Sequence, residues 1–208
     1  GLVCTDMYRG GSEGCLVGDM ESDSQRRRMA QISDMLPQPH LIGDVDNITQ
    51  LRRNTLFHGR GDGTFAEIAN YAGVTSTDWS WSPVFIDVDL DGWEDFLVTN
   101  GFEHDVDDQD TRNQIHARGR LNISQMREAM RLYPRLLTPN YAFRNKHDLT
   151  FEEVGKSWGF DSIEVSNGMA FGDFDNDGAL DVVVNCLNGP ALLYRNETGA
   201  PRVAVRLK

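Results

Sequence analysis

The sequence predicts an all-β repeat fold with helical insertions, on three observations. Asn54 and Asn140, Thr64 and Thr150, and Asp87 and Asp173 open matching motifs that each lie 86 positions apart, and a constant offset across three motifs marks an internal repeat. Short apolar runs such as Val84-Phe85-Ile86 and Phe96-Leu97-Val98-Thr99 stand between turn residues at strand-like lengths. One nine-residue acidic stretch occurs twice, as DVDLDGWED from Asp87 to Asp95 and as DFDNDGALD from Asp173 to Asp181.

The elements follow in order. Asn54 to His58 and Thr64 to Ile68 read as strands around Gly61-Asp62-Gly63, whose Asp-Gly step supplies the positive φ angles of a tight hairpin. A third strand at Val84 to Ile86 enters the first acidic loop and a fourth at Phe96 to Thr99 leaves it. Four short strands per copy is the content of a β-propeller blade, in which neighbouring sheets bury each other's faces. Partial copies flank the two full ones: Val3 to Asp6 resembles the strand end at Val98 to Gly101, and Ala191 to Asn196 resembles Asn140 to Asn145. The expected organisation is the end of a preceding blade plus a partly helical insertion over 1–53, a repeat with an acidic loop over 54–101, a second partly helical insertion over 102–139, a second repeat over 140–187, and the start of a further blade over 188–208. In the insertions, Met126, Ala129, Met130 and Tyr133 recur at helical spacing after Asn122, a candidate N-cap, and Met29, Ile32 and Leu36 do so before Pro37. Such helices cover sheet edges or engage a partner.

Composition bounds the function. With 39% hydrophobic and 25% charged residues the chain is expected to fold around a real core. Its 32 acidic against 20 basic residues give a net charge of −12, which argues against nucleic acid and anionic membranes and for cations or basic surfaces. Apolar runs are too short to cross a bilayer, so a soluble chain is expected. It starts at Gly1 with no leader pattern, so a signal peptide would have been removed or lie outside this sequence. Cys4, Cys15 and Cys186 leave two readings open, a Cys4 to Cys15 bridge suited to an oxidising compartment, or free buried thiols.

The acidic loops carry the most specific signal. Two carboxylates 4 Å apart repel by about 4 kcal/mol at an effective dielectric of 20, and a hard divalent cation offsets that cost. Calcium takes six to eight oxygen ligands that a short loop can supply, whereas magnesium keeps its waters. In D-x-D-x-D-G-x-x-D the first, third, fifth and ninth positions direct carboxylates inward, glycine permits the bend, and the seventh offers its backbone carbonyl. The expected ligands are Asp87, Asp89, Asp91, the Trp93 carbonyl and Asp95 in one loop, and Asp173, Asp175, Asp177, the Ala179 carbonyl and Asp181 in the other, for two Ca2+ sites. An EF-hand is excluded, because its twelfth position would fall on Val98 or Val184 inside a strand. The bland alternative is a solvated acidic turn, which two complete copies at equivalent repeat positions disfavour.

Read together, N-x-L-F at Asn54, G-D-G-T-F at Gly61 and F-G-D-F-D-N-D-G at Phe171 resemble the FG-GAP/VCBS repeat family. The resemblance implies calcium-binding β-propeller blades of extracellular, cell-surface or periplasmic proteins. The long insertions and the terminal Arg202 to Lys208 are similar to the ASPIC/UnbV (cartilage acidic protein-like) family, which implies that the chain stops at the first strand of an ASPIC/UnbV domain. Two departures stand out: Phe85-Ile86 in place of Phe-Gly, and His147-Asp148-Leu149 in place of Gly-Asp-Gly.

The remaining clusters read as structural. Glu103 to Asp110 is acidic but lacks the glycine bend and ordered spacing, so a solvated loop is expected. The histidines show no zinc spacing. Arg60-Gly61-Asp62 spells an adhesion tripeptide, but the turn already demands Asp-Gly there. Asn47, Asn122 and Asn196 open glycosylation sequons. No nucleophile beside a base, G-x-S-x-G elbow or phosphate loop is present, so the chain is expected not to be an enzyme. The expected function is a calcium-binding scaffold for adhesion or assembly, acting on protein partners or further copies of itself. The alternative is an enzyme or enzyme-associated subunit whose site lies in the insertions or in parts of the chain not present.

Overall fold

The computed structural model describes residues 2–8, 12–22, 24–33 and 53–199. The expectations placed on Leu36, Pro37, the Asn47 sequon and the terminal strand over 202–208 lie outside them. Along the chain come β1 (Leu2–Tyr8), β2 (Ser12–Val17), α1 (Gln25–Ser33), β3 (Thr55–Gly59), β4 (Phe65–Glu67), α2 (Ala69–Ala72), β5 (Ser80–Ile86), β6 (Asp95–Asn100), α3 (Gln109–His116), α4 (Ile123–Met130), β7 (Thr138–Pro139), β8 (Tyr141–Asn145), β9 (Phe151–Glu153), α5 (Gly155–Trp158), β10 (Ile163–Glu164), β11 (Ser166–Gly172), β12 (Asp181–Cys186) and β13 (Leu192–Tyr194). They form antiparallel sheets in the orders β1-β2-β3-β4, β5-β6-β8-β9 and β11-β12-β13, with β7 and β10 as a two-stranded pair. The fold is mainly β, with short helices between strands.

Repeat and sheet are offset by half a unit. The repeat over 54–101 contributes β3 and β4 to the first sheet and β5 and β6 to the second, whose other two strands, β8 and β9, come from the next repeat. The cause lies in the connections. After β4 the one-turn helix α2 ends on Gly73 at φ 79°, a left-handed stop that glycine makes without strain, and the chain crosses to a new sheet. After β6 it leaves with α3 and α4 and returns to pair beside the same strand, Leu97 opposite Ala142. Val3 to Asp6 needs a correction of one strand: it lies in β1, whereas β2 holds the place equivalent to β6, beside β3. A four-residue likeness carried no information on pairing.

The core lies between the sheets. On β6, Phe96 and Val98 pack with Leu16, Leu56 and Phe143 toward the first sheet, while Leu97 packs with Ile86, Ala142, Val182 and Val184 toward the third. This is the two-residue alternation of a strand buried on both faces. A buried asparagine at the start of each repeat ties its neighbouring segments together. Asn54 donates to the Val74 carbonyl at 2.9 Å and the Thr77 hydroxyl at 2.6 Å and accepts from Asp19 N at 2.8 Å; Asn140 repeats only the acceptor part, taking Asn100 N at 3.0 Å beside the β6–β8 pair of one sheet.

Local turn and cap expectations hold with one correction: the positive φ angles of the first hairpin fall on the two glycines that flank Asp62, not on the Asp62-Gly63 step. Gly61 and Gly63 have φ of 79° and 83°, and Asp62 accepts from Thr64 N and Oγ1. In the second copy His147 and Leu149 keep nearly the same angles, 66° and 70°, and Asp148 caps Thr150 alike, so the departure alters the residues but not the turn. Helix α4 begins at Asn122 with a reciprocal capping box to Gln125. Of its expected apolar face, Ala129 is buried and Met126 is exposed. The acidic run read as a loop contains the start of α3, where Asp108 is the N-cap and accepts from Thr111 N at 2.8 Å. Cys15 is disulfide-bonded and faces Cys4 in the β1–β2 register, and Cys186 is a buried free thiol.

Candidate functional site

Both acidic loops join the first two strands of their portion of sheet, β5 to β6 and β11 to β12. Their backbones repeat: Leu90 and Asn176 have φ of 59° and 58°, and Gly92 and Gly178 both 88°. At the glycines a side chain would be strained. The first carboxylate of each loop caps the bend, Asp87 accepting from Asp91 N at 3.0 Å and Gly92 N at 2.9 Å, and Asp173 accepting from Asp177 N and Gly178 N at the same distances. The ninth closes the loop on its second residue: Asp95 accepts from Val88 N, and Asp181 from Phe174 N, each at 3.0 Å.

The carboxylates converge differently in the two loops. Asp87, Asp89 and Asp95 bring one oxygen each within 4.8 Å of one another, as do Asp173, Asp175 and Asp177. Asp91 stands outside the first trio, with one oxygen 2.8 Å from His147 Nε2 and the other accepting from Trp93 N. Asp181 stands outside the second. Trp93 stacks on His147 at 4.7 Å between ring centroids, and Ala179, at the matching place in the second loop, is fully buried.

Burial separates the loops as well. Asp95 is buried and Asp87 and Asp89 half-buried, whereas Asp173, Asp175 and Asp177 are exposed. Burial raises the Asp95 carboxyl to about 7, reinforced by the charges of Asp89 and Asp91. Burial also raises Asp87 and Glu94. The first loop therefore carries a cost that a cation would relieve.

Two basic residues absent from the sequence-derived ligand set reach over the loops. Arg144 Nε lies 2.6 Å from Asp89 Oδ2, and Arg195 Nε 2.6 Å from Asp175 Oδ2. The asparagine after each arginine closes the ninth carboxylate, Asn145 N donating to Asp95 Oδ1 at 2.9 Å and Asn196 N to Asp181 Oδ1 at 2.8 Å. The sequence signal was the Arg-Asn pair recurring at the end of matching strands, β8 and the segment after β13.

The donor set fits a calcium ion. It is all-oxygen and anionic, and Asp89 Oδ1 is buried with no hydrogen-bond partner while its other oxygen is engaged by Arg144. A buried carboxylate oxygen left unpaired is costly, and a metal would satisfy it.

These features define a repeat protein of stacked antiparallel sheets whose strands are joined by duplicated acidic loops. A family model described as FG-GAP-like repeat matches residues 42–98 and 135–184, more than half of the chain. The chain belongs to the FG-GAP-like repeat family. It is also similar to cartilage acidic protein 1 of Xenopus tropicalis and of Homo sapiens, 40% identical to each over 57 residues, which are 27% of this chain and 9% of each relative. The match thus spans less than a tenth of those relatives' length.

Proposed function

We propose that this chain is part of a calcium-stabilised β-propeller that serves outside the cytoplasm as a scaffold for protein contacts. The observation that carries the reading is the duplication of one acidic loop with the same backbone bend and the same carboxylate caps, each copy bringing three carboxylates together without a matching number of cations. Asp87, Asp89, Asp91, Asp95 and the Trp93 carbonyl would hold one Ca2+, and Asp173, Asp175, Asp177, Asp181 and the Ala179 carbonyl the other. Bound calcium supplies the charge that lets these carboxylates stay ionised while packed together. The disulfide at Cys15 supports an oxidising compartment, where calcium is plentiful, and no described helix is long and apolar enough to cross a membrane. The partial match to cartilage acidic protein 1 supports the ASPIC/UnbV likeness, and an adhesion or assembly role is our extension of the scaffold reading.

The test is a thermal melt in excess calcium, in magnesium and in chelator. Binding to the folded form alone adds about 2.7 kcal/mol at a hundredfold excess over Kd, which raises Tm by several degrees. A shift with calcium alone supports the reading. No shift overturns it and returns the enzyme alternative to consideration.

A further inference from the structure

The loops are not independent in space. Asn196 donates its backbone N–H to Asp181 Oδ1 at 2.8 Å, in the second loop, and its side-chain Nδ2 to the Val88 carbonyl at 2.9 Å, in the first. Val88 also donates its own N–H to Asp95 Oδ2 at 3.0 Å. One residue thus links the ninth carboxylates of loops that lie in different sheets, through the two backbone polar groups of Val88. Thr198 Oγ1 donates to the same carbonyl at 3.1 Å. Thr198 N donates to Asn196 Oδ1 at 3.0 Å, which fixes which end of the amide faces Val88.

The contact is particular to this place in the repeat. Asn145, which closes the first loop, turns its Nδ2 to the carbonyl of Glu94 at 3.0 Å, within the loop it closes. Asn196 spans 108 positions to the neighbouring loop instead. The asparagine and the threonine that define the Asn196-Glu197-Thr198 sequon are both committed to Val88.

We propose that Asn196 and Thr198 are positioning residues that couple the two cation sites, so that calcium in the exposed second loop raises the affinity of the buried first. The inference rests on the calcium reading above. Asp181 stands outside the trio in this structure, and its recruitment by a metal in the second loop, as proposed above, would hold the segment after β13 in place through the Asn196 N–H. The donors from Asn196 and Thr198 would then already be set against Val88, and the first loop would spend less ordering entropy when it binds. Coupling of this kind is reciprocal, so calcium in the first loop strengthens the second by the same factor.

Calcium titration of the whole chain by isothermal calorimetry tests this. The Asp173→Asn, Asp177→Asn double variant removes the second site, and the affinity left belongs to the first. We expect that affinity to fall at least about fivefold relative to the intact chain, the lower end of ordinary coupling, and expect no such fall when the same pair is introduced into an Asn196→Ala background. Thr198→Val removes one of the two donors with little change of shape and should give an intermediate loss, which keeps the test open if Asn196→Ala does not fold. Two sites that bind calcium with affinities indifferent to each other overturn the coupling and leave the calcium reading standing. Coupling that persists in both Asn196→Ala and Thr198→Val overturns these residues as its carriers. No calcium binding by the intact chain overturns the calcium reading itself.

Discussion

Arg144 holds the outer oxygen of Asp89 at 2.6 Å while the inner oxygen is buried and unpaired. The arginine offsets one charge of the trio, and in doing so it stands beside the place a cation would occupy. Its two effects on calcium oppose each other: it supports the metal-free loop and repels the metal. Arg144→Met is expected to lower the Tm of the chelated protein by no more than about 2–4 °C, since a partly exposed ion pair contributes at most about 1 kcal/mol. In the same variant the calcium-induced rise in Tm grows. Differential scanning calorimetry with chelator and with calcium reads both, and a smaller calcium shift would mean that Arg144 helps to hold the metal.

Loss of a carboxylate separates a metal ligand from a turn residue. Asp175→Ala removes one member of the second trio and its contact to Arg195, a pair at an exposed position. The expected result is a lower Tm in calcium and little change in chelator, compared by the same calorimetry. An equal drop in both conditions would assign Asp175 to the turn alone.

Asn54 predicts a large effect far from the loops. Its amide is fully buried and holds Val74, Thr77 and Asp19 at once. Asn54→Ala leaves those groups without it and is expected to cost about 3 kcal/mol, since a buried polar group stripped of its partner loses its whole desolvation energy. Urea unfolding of the calcium-loaded protein would show this as a lower midpoint at unchanged slope.

What was legible in the sequence was local. The N-cap at Asn122, the positive φ at Gly63 and the bend at Gly92 are each set by residues within a few positions, and each stands as its motif implies. The joining of β6 to β8 across an insertion, the reach of Arg144 over Asp89 and the bond from Asn196 to Val88 depend on pairing between distant segments. No short pattern encodes them. The helix α3 was hidden for a different reason: Asp108 reads as one charge among many, and its role as an N-cap shows only once Thr111 N is seen to point at it. The offset between repeat and sheet could not be read from periodicity, because a repeat has the same length wherever its boundary is drawn.

The cysteines give a prediction about the cell compartment. With Cys15 bonded and Cys186 free and buried, thiol titration of the oxidised protein in denaturant is expected to find one reactive thiol per chain, and after reduction three, the full cysteine content. Three without reductant would remove the disulfide and with it the argument for an oxidising environment.

Asp95 sets the pH dependence of the metal-free protein. Its carboxyl is raised from 3.8 to about 7 in the folded chain, first by burial and then by the charges of Asp89 and Asp91, so the folded state binds this proton more tightly than the unfolded one. Stability from this group is therefore complete below pH 4 and is lost as pH rises toward 7. Burial moves Asp87 and Glu94 in the same direction and reinforces the slope. Asp62 and Asp148, lowered by the hydroxyls and amides of Thr64 and Thr150, act with the opposite sign, below about pH 4 where they gain protons. In chelator, Tm is expected to fall between about pH 5 and 7. In saturating calcium the carboxylates are held ionised and that fall should flatten or reverse, because protons now compete with the metal. Asp95→Asn supplies the control: it removes the main titrating group and should flatten the chelator profile. A profile unchanged by Asp95→Asn would place the titration elsewhere, and a fall of the same size in calcium would separate it from metal binding.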